Sequence, residues 1–357
     1  MIVEPRGKPP VMTRALAAIG AAVAALLLVA IPLALAGANP LDAFGLMLKG
    51  AFGSAFAIGE TLTRATPMIF TGLAAAIAFR ARLWNIGAEG QLFAGALGAI
   101  LVGSALINLP WPIALPAVLI AGFLAGALLM LIPAVLKLRF GADEVVITLL
   151  LNFVVILFVQ LVVEGPLKDP LALGWPQSIP LTAAADLPTL LPRLRVHWGL
   201  AIAIVAAIVL AVIVRRTVLG FEIRAVGENK AAAKFAGLPV DATVLKVALI
   251  SGGLAGLAGV SEVAGVKGYL STDLSPGFGY SGIVVAMLAG LSPVGAIFAA
   301  IFVAAVFVGA DSMSRAIGVS NYIADLTVAL ALLCVLVSGF FLRFRVRFAR
   351  DAAAAAD

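Results

Sequence analysis

The sequence predicts an all-α polytopic membrane protein, on the evidence of its composition and of the spacing of its apolar blocks. The chain of 357 residues is 63% hydrophobic and 12% charged, and its mean hydropathy is +1.16. A soluble protein of this length needs more charge to cover its surface. The apolar blocks are long and are separated by short polar or Gly/Pro breaks, as in a bundle whose backbone polar groups are paired within helices. A β-barrel would instead alternate apolar and polar residues.

About ten transmembrane elements are expected from the block lengths and from the charge of the two chain ends. Both ends are basic, which places them in the cytoplasm and requires an even number of crossings. Nine blocks are long enough to span, and the tenth element is the short stretch GYSGIVVAMLAGLSP at 279–293, typical of a half-helix with a non-helical lead-in. The nine blocks are 15–37, 62–79, 91–108, 112–136, 145–163, 198–214, 242–264, 293–311 and 322–342.

This topology places sixteen basic loop residues on the side of the termini and six on the other side. The bias identifies the side of the termini as cytoplasmic, and it accounts for the net charge of +6 without a nucleic acid partner. The transmembrane domain is expected to contain a cytoplasmic loop at 215–241 and an ordered outer loop at 164–197. The predicted parts of the chain are a cytoplasmic tail at 1–14, the transmembrane domain at 15–342 and a second cytoplasmic tail at 343–357.

No catalytic residue, metal site or bound cofactor is expected on this chain. The stretch GYSG at 279–282 is similar to the Gly-x-Ser-Gly of intramembrane serine proteases, but the single histidine, His197, precedes the serine instead of following it. No His/Cys/Asp/Glu cluster suits a metal, and no Gly-x-x-x-x-Gly-Lys-Ser/Thr phosphate loop is present. ATP would therefore have to bind another chain.

Two stretches predict close helix packing. GFLAG at 122–126 and GGLAGLAG at 252–259 place small residues one helical turn apart, where two backbones can approach each other closely. Such motifs indicate a tightly packed bundle and carry no information about a substrate.

The loop at 215–241 contains GENKAAAKFAG at 227–237, which predicts one short helix. Glu228 or Asn229 is suited to cap its start, the alanines favour helix, and Gly237 ends it. On composition alone, such a helix is either an ordinary solvated loop helix or a docking element for a cytoplasmic partner.

Three motifs resemble those of a known family. The stretch GFEIRAVGENKAAAKFAG at 220–237 is similar to the cytoplasmic coupling loop of ABC importer permeases of the branched-chain amino acid, ribose and nucleoside type. RLWNIGAEGQLFAG at 82–95 and DEVVITLLLNF at 143–153 narrow the resemblance to the nucleoside and simple-sugar branch, and the likeness covers about 59–342. The sequence departs from the common pattern at three positions, where phenylalanine, proline and tyrosine are replaced by Trp84, Lys230 and Phe235.

The resemblance implies a fold of two inverted repeats with discontinuous helices, in the cytoplasmic (inner) membrane of a bacterium. The implied partners are ATP-binding cassette ATPase subunits, which carry the ATP and Mg, a second permease subunit that is a different chain, an extracytoplasmic substrate-binding protein and membrane lipids. The short helix would sit in a cleft of the ATPase. The residues implied in ATPase coupling are Arg224, Gly227, Glu228, Asn229, Ala232, Phe235 and Gly237.

The polar stretch NIGAEGQ at 85–91 leaves two interpretations open. It is either a plain cytoplasmic turn or a break within the membrane, where Gly87 and Gly90 let the backbone leave helical geometry. The resemblance favours the break, with 267–291 as its counterpart in the inverted half. Asn152 lies within an apolar span, where an amide either ties helices together or lines a pore.

A nucleoside is the substrate that the resemblance implies. Its hydroxyls and base require hydrogen-bonding groups and aromatic faces along the path. The candidate path residues are Trp84, Asn85, Glu89, Gln91, Asn152, Glu262 and Ser281. One alternative is an ABC importer permease for a simple sugar such as ribose. Another is an ion-coupled secondary transporter, which would need a carboxylate relay such as Glu262, Asp311 and Asp325.

Overall fold

The computed structural model describes residues 2–5, 11–105, 109–190 and 194–347. These residues are mostly helical, which confirms the all-α class. Four of the basic residues used to orient the chain, namely Arg6, Lys8, Arg193 and Arg350, lie outside the described residues. The helices are α1 (Val11–Leu35), α2 (Pro40–Phe52), α3 (Ala55–Arg80), α4 (Ala88–Ala105), α5 (Trp111–Phe140), α6 (Glu144–Glu164), α7 (Trp198–Arg216), α8 (Val218–Glu228), α9 (Lys230–Phe235), α10 (Val240–Glu262), α11 (Phe278–Leu288), α12 (Pro293–Ile317) and α13 (Asn321–Arg343).

Seven helices of the described chain are long and apolar enough to cross a membrane, namely α3, α4, α5, α6, α7, α10 and α12. An eighth candidate is the pair formed by Val23–Leu35 and α2, which is bent by 113°. Two shorter apolar helices lie at 278–288 and 322–338. The polytopic architecture is thus confirmed, while the number ten, which requires all of these elements, stays a prediction.

Helix α2 was not predicted from the sequence. Its start carries ordinary helix signals: the Asn39 side chain accepts a hydrogen bond from the Leu41 amide at 3.1 Å, and Pro40 occupies the first position of the helix. With 13 residues, the helix is too short to span a bilayer by itself.

The chain forms two compact units, and the larger comprises 59–304. Within it, α4, α5 and α10 pack against one another. The contacts confirm the small-residue prediction, because the two motifs meet each other: a Cβ on Gly256 of α10 would collide with the carbonyl of Gly122 of α5, and one on Gly126 would collide with that of Gly252.

The described part of the predicted outer loop, residues 164–190 and 194–197, is bonded to the rest of this unit. Its backbone amides at Ser178, Leu181 and Leu187 donate to carbonyls of the segment that follows α10, at 2.8, 2.7 and 2.7 Å. That segment begins with a π-helical turn at Val263–Lys267. The loop therefore covers this end of α10.

The smaller unit comprises 1–58 and 305–357. Within it, α1 packs against α13 and α2 around a buried apolar cluster of Val29, Leu33, Ala43 and Met313. Strand β1 (Ile2–Pro5) pairs antiparallel with strand β2 (Phe344–Arg347). The two ends of the described chain therefore lie side by side.

Candidate functional site

The polar stretch after α3 is a break buried inside the protein. Helix α3 ends at Arg80, residues 81–87 are not helical, and α4 begins at Ala88. We call residues 81–87 the break segment. The chain turns at Arg82, whose φ of 51° is unusual for a residue other than glycine. Asn85 is fully buried, so the interpretation as a solvated turn does not hold.

The side-chain amides of Asn85 and Gln91 form hydrogen bonds to each other. The Asn85 Nδ2 donates to Gln91 Oε1 at 2.8 Å, and the Gln91 Nε2 donates back to Asn85 Oδ1 at 2.9 Å. Asn85 also donates to the Ser251 hydroxyl of α10 at 2.9 Å, which in turn donates to the Ala74 carbonyl of α3 at 2.7 Å. Three helices are thus joined through one buried polar network.

One face of α6 holds the break segment from the other side. Glu144, Thr148 and Asn152 are spaced four residues apart and form what we call the α6 polar stripe. Each accepts a hydrogen bond from a backbone amide in or just beyond the break segment. The donors are Trp84 to Glu144 at 3.3 Å, Ile86 to Thr148 at 3.3 Å and Gly90 to Asn152 at 2.8 Å.

The stripe was only partly predicted. Asn152 was singled out, whereas Glu144 and Thr148 were not, although their four-residue spacing in an apolar helix is visible in the sequence. The Asn152 Nδ2 also donates to the Ile86 carbonyl at 3.0 Å and to the Tyr280 hydroxyl at 3.2 Å. Asn152 therefore ties helices together, which was one of its two proposed roles.

The stripe predicts that Asn152→Leu destabilises the protein. The change leaves the buried Gly90 amide and the Ile86 carbonyl without their partner, at an expected cost of about 3 kcal/mol in the free energy of unfolding. The measurement is thermal unfolding in detergent. Gln160→Leu is the matched control, because Gln160 lies on the same helix and is exposed. Equal melting temperatures for the two variants would contradict the role assigned to the stripe.

The first turn of α11 meets the first turn of α4. Residues 268–277 are not regular helix, and α11 begins at Phe278. The Glu89 Oε2 accepts from the Gly279 amide at 2.6 Å, and a Cβ on Gly279 would collide with the Glu89 backbone. The Thr71 hydroxyl of α3 donates to the Phe278 carbonyl at 2.9 Å. Both predicted breaks are therefore present, and the helices that follow them touch.

The loop after α7 contains two helices where one was predicted. The preceding helix, α8, was missed, and Asn229 separates it from α9. Asn229 is the cap, because its side chain accepts from the Ala231 and Ala232 amides at 3.0 and 3.1 Å. Gly237, with a φ of 78°, ends the helix as predicted.

The predicted coupling residues divide between these two helices. Arg224, Gly227 and Glu228 belong to α8, whereas Ala232 and Phe235 belong to α9. The Arg224 guanidinium donates to the Val214 carbonyl of α7, which fixes α8 against the end of α7. Phe235 is 96% exposed, so α9 presents an aromatic ring that none of the described residues covers.

Helix α9 lies beside the α5–α6 connection. Burial lowers the pKa of Lys230, and the nearby positive charges of Lys137 and Arg82 lower it further, while Glu144 raises it. Lys137 itself pairs with Glu144 and donates to the Arg82 carbonyl at 3.3 Å. The start of α9 is therefore close to Lys137 and Glu144, which bind the break segment.

The structure brings five of the seven candidate path residues together around the break, and Ser281 follows in the first turns of α11. Glu262 is elsewhere, because it follows Ser251 by about 16 Å along α10 at the helical rise. It is buried and lies near Arg64 and Lys267. Tyr280, which was missed, is 38% exposed beside the stripe.

Sequence comparison places these features in a family. The model of the branched-chain amino acid transport system permease component matches residues 57–337. The glucose ABC transporter permease protein TsgB13 of Haloferax volcanii is 36% identical over 88% of this chain and 84% of its own length. The guanosine ABC transporter permease protein NupP of Bacillus subtilis is 35% identical over 84% of this chain and 86% of its own.

A third relative, the nucleoside ABC transporter permease protein NupB of Lactococcus lactis subsp. cremoris, is 33% identical over 78% of this chain and 79% of its own length. The family match and these identities over most of each chain confirm the resemblance seen in the motifs. The relatives are named as permease proteins of transport systems. This chain belongs to the family of permease components of branched-chain amino acid type transport systems, together with ABC transporter permeases.

Proposed function

We propose that this chain is the membrane permease of an ATP-driven importer of nucleosides, coupled through α9 to separate ATPase subunits. The observation that carries the coupling is the exposed α9 helix itself. It is capped at both ends by Asn229 and Gly237, and it presents Phe235 at 96% exposure. An aromatic ring on a short, well-ended helix is the type of anchor that fills a pocket on a partner.

The proposed complex contains two ATPase subunits that bind ATP and Mg, a second permease subunit of different sequence and an extracytoplasmic binding protein. It lies in the bacterial inner membrane with both termini in the cytoplasm. The β1–β2 pairing supports the last point, because it keeps the two chain ends on one side. Closure of the ATPases would move α9 and alternate the access of a central path.

The nucleoside assignment rests on two relatives whose names specify guanosine and nucleosides. A sugar is the second candidate, favoured by the glucose permease at 36% identity. Both substrates are neutral and rich in hydroxyls, so the same kind of polar path serves either.

The structure changes the roles proposed for the path residues. The side-chain amides of Asn85, Gln91 and Asn152 are already bonded within the protein. We therefore assign them the role of holding the break segment in place. The aromatic faces of Trp84 and Tyr280, which are 44% and 38% exposed, are better suited to a base or a sugar ring. Glu89 is bonded to the Gly279 amide and is assigned to the same structural role, whereas Ser281 and Glu262 remain path candidates.

The decisive experiment is uptake into liposomes that contain both permease subunits and the ATPase subunits, with the binding protein added outside. Labelled guanosine, uridine and glucose are supplied outside and ATP inside. We expect nucleoside uptake that stops when ATP hydrolysis is blocked. Uptake that persists without hydrolysis but requires an ion gradient would identify a secondary transporter, and uptake of glucose alone would favour the sugar.

Replacement of Phe235 by aspartate tests the docking site. The change removes the aromatic anchor and places a charge in the proposed cleft, so ATPase binding is expected to fall by about tenfold or more. Co-purification of the ATPase with the permease measures it. Leu171→Asp is the control, because Leu171 is equally exposed but lies in the outer loop. If the Phe235→Asp variant binds the ATPase as fully as the unaltered chain does, α9 is not part of the interface.

A further inference from the structure

We infer that Arg80 is the junction through which movement of α8 reaches α11, an inference that rests on the proposed import function. The Arg80 carbonyl touches Gly227 of α8 so closely that a Cβ on Gly227 would collide with it. The Arg80 Nε donates to the Leu291 carbonyl, beyond the end of α11, at 2.9 Å. Arg80 thus joins α8, the helix next to α9, with α11, whose first turn lies against the first turn of α4.

Helix α8, where the movement would enter the bundle, is bonded to α10 and to α7. The Thr243 hydroxyl of α10 donates to Glu222 Oε2 at 3.0 Å, and Arg224 donates to the Val214 carbonyl of α7. Contact between Gly227 and Arg80 involves backbone on both sides. No side-chain rotamer is present there to absorb a displacement, so α8 and the end of α3 move together.

The break segment that follows Arg80 is held from the other side. Lys137 donates to the Arg82 carbonyl at 3.3 Å, and the α6 polar stripe holds the next amides, beginning with Trp84 at 3.3 Å. The turn at Arg82, with its φ of 51°, lies between Arg80, which moves with α8, and the part of the break segment that is bonded to α5 and α6. A displacement of α8 is therefore taken up at this turn, as in a hinge.

On the output side, α11 follows the last turns of α3. The two helices run in the same direction, because Thr71 bonds the Phe278 carbonyl at the start of α11 while Arg80 bonds the Leu291 carbonyl at its end. Between these bonds, Gly72 fits against Val285 with no room for a Cβ. Movement of Arg80 consequently shifts α11 relative to Glu89 and the stripe.

The test uses Gly227→Ala and Arg80→Met in the reconstituted complex. Gly227→Ala pushes α8 off the carbonyl, whereas Arg80→Met keeps that contact and removes the bond to Leu291. Uptake per ATP hydrolysed is measured for the same amount of bound ATPase. Both variants are expected to lose about 10- to 100-fold in this ratio, the size of a typical coupling free energy. Gly45→Ala, which has open space around its Cβ, is the control and is expected to keep the ratio.

A second measurement separates coupling from simple structural damage. Spin labels are placed at Met287→Cys on α11 and Leu157→Cys on α6, both exposed positions, after removal of the single native thiol by Cys334→Ala. The distance between the labels is expected to change with nucleotide when Arg80 is present and to stay fixed in Arg80→Met.

The outcomes distinguish the inference from the function on which it rests. Absence of ATP-dependent uptake with the unaltered chain would overturn the proposed function. ATP-dependent uptake by the unaltered chain, with the same ratio of uptake to hydrolysis in Arg80→Met, would overturn the relay alone. A nucleotide-dependent label distance in Arg80→Met would do the same. If Gly227→Ala does not accumulate as folded protein, Arg80→Met alone decides.

Discussion

Replacement of Gly256 by valine is expected to prevent the permease from accumulating as a folded membrane protein. Gly256 lies where α4, α5 and α10 meet: its own Cβ would strike the Gly122 carbonyl, and a Cβ on Gly95 would in turn strike Gly256. All of these contacts are with backbone, so the helices themselves must separate. Overpacking of a core costs up to about 3 kcal/mol even where side chains adjust, and total stabilities are about 5 to 15 kcal/mol.

Expression of a fluorescent fusion followed by size-exclusion chromatography in detergent measures this effect. Gly45→Val is the matched control, because Gly45 also lies in a helix but has no atom within 4 Å of its Cβ position. We expect a symmetric peak for the control and aggregate or no protein for Gly256→Val. A normal peak for Gly256→Val would mean that α5 and α10 do not cross at these glycines.

The helix crossing also shows what a sequence can and cannot specify. The motifs at 122–126 and 252–259 indicated close approach of some pair of helices, and the structure shows that they meet each other. Small residues permit two helices to approach closely, but they do not determine which helices pack against each other. Partner choice depends on the positions of all the other helices, which no local pattern contains.

Short helices were harder to predict than long ones. Long apolar blocks repeat their signal over many residues, whereas α2 and α8 are 13 and 11 residues long, well below the roughly 20 residues that cross a membrane. Their caps were nevertheless visible. Asn39 precedes Pro40 at the start of α2, and the Thr217 side chain accepts from the Gly220 amide at the start of α8.

The sequence singled out Asn85, Gln91 and Asn152 as polar residues among apolar ones, but it did not identify their hydrogen-bond partners. Asn152 bonds the Gly90 amide, which is 62 residues away in the chain. Such pairings follow from the break in the helix, because backbone groups that leave helical geometry must find side-chain partners inside the protein. The break was one of two interpretations of the sequence, so its side-chain partners could not be assigned.

Glu89→Leu is expected to abolish substrate uptake, because Glu89 holds the start of α11. Its carboxylate accepts from the Gly279 amide at 2.6 Å. Gly279 belongs to the first turn of α11, where a negative charge is favourable. A hydrogen bond to a charged group contributes about 1.5 to 3 kcal/mol, so leucine removes a strong bond between α4 and α11.

A graded series tests whether charge or hydrogen bonding matters more. Glu89→Gln keeps one acceptor oxygen but loses the charge, so its uptake is expected to lie between that of the unaltered chain and that of Glu89→Leu. Glu164→Leu is the control, because Glu164 is exposed at the end of α6. Uptake is compared at equal amounts of folded complex, with melting temperature measured in parallel. If Glu89→Leu transports at the rate of the control, other contacts hold α11, and uptake needs the buried carboxylate neither for holding α11 nor in the substrate path.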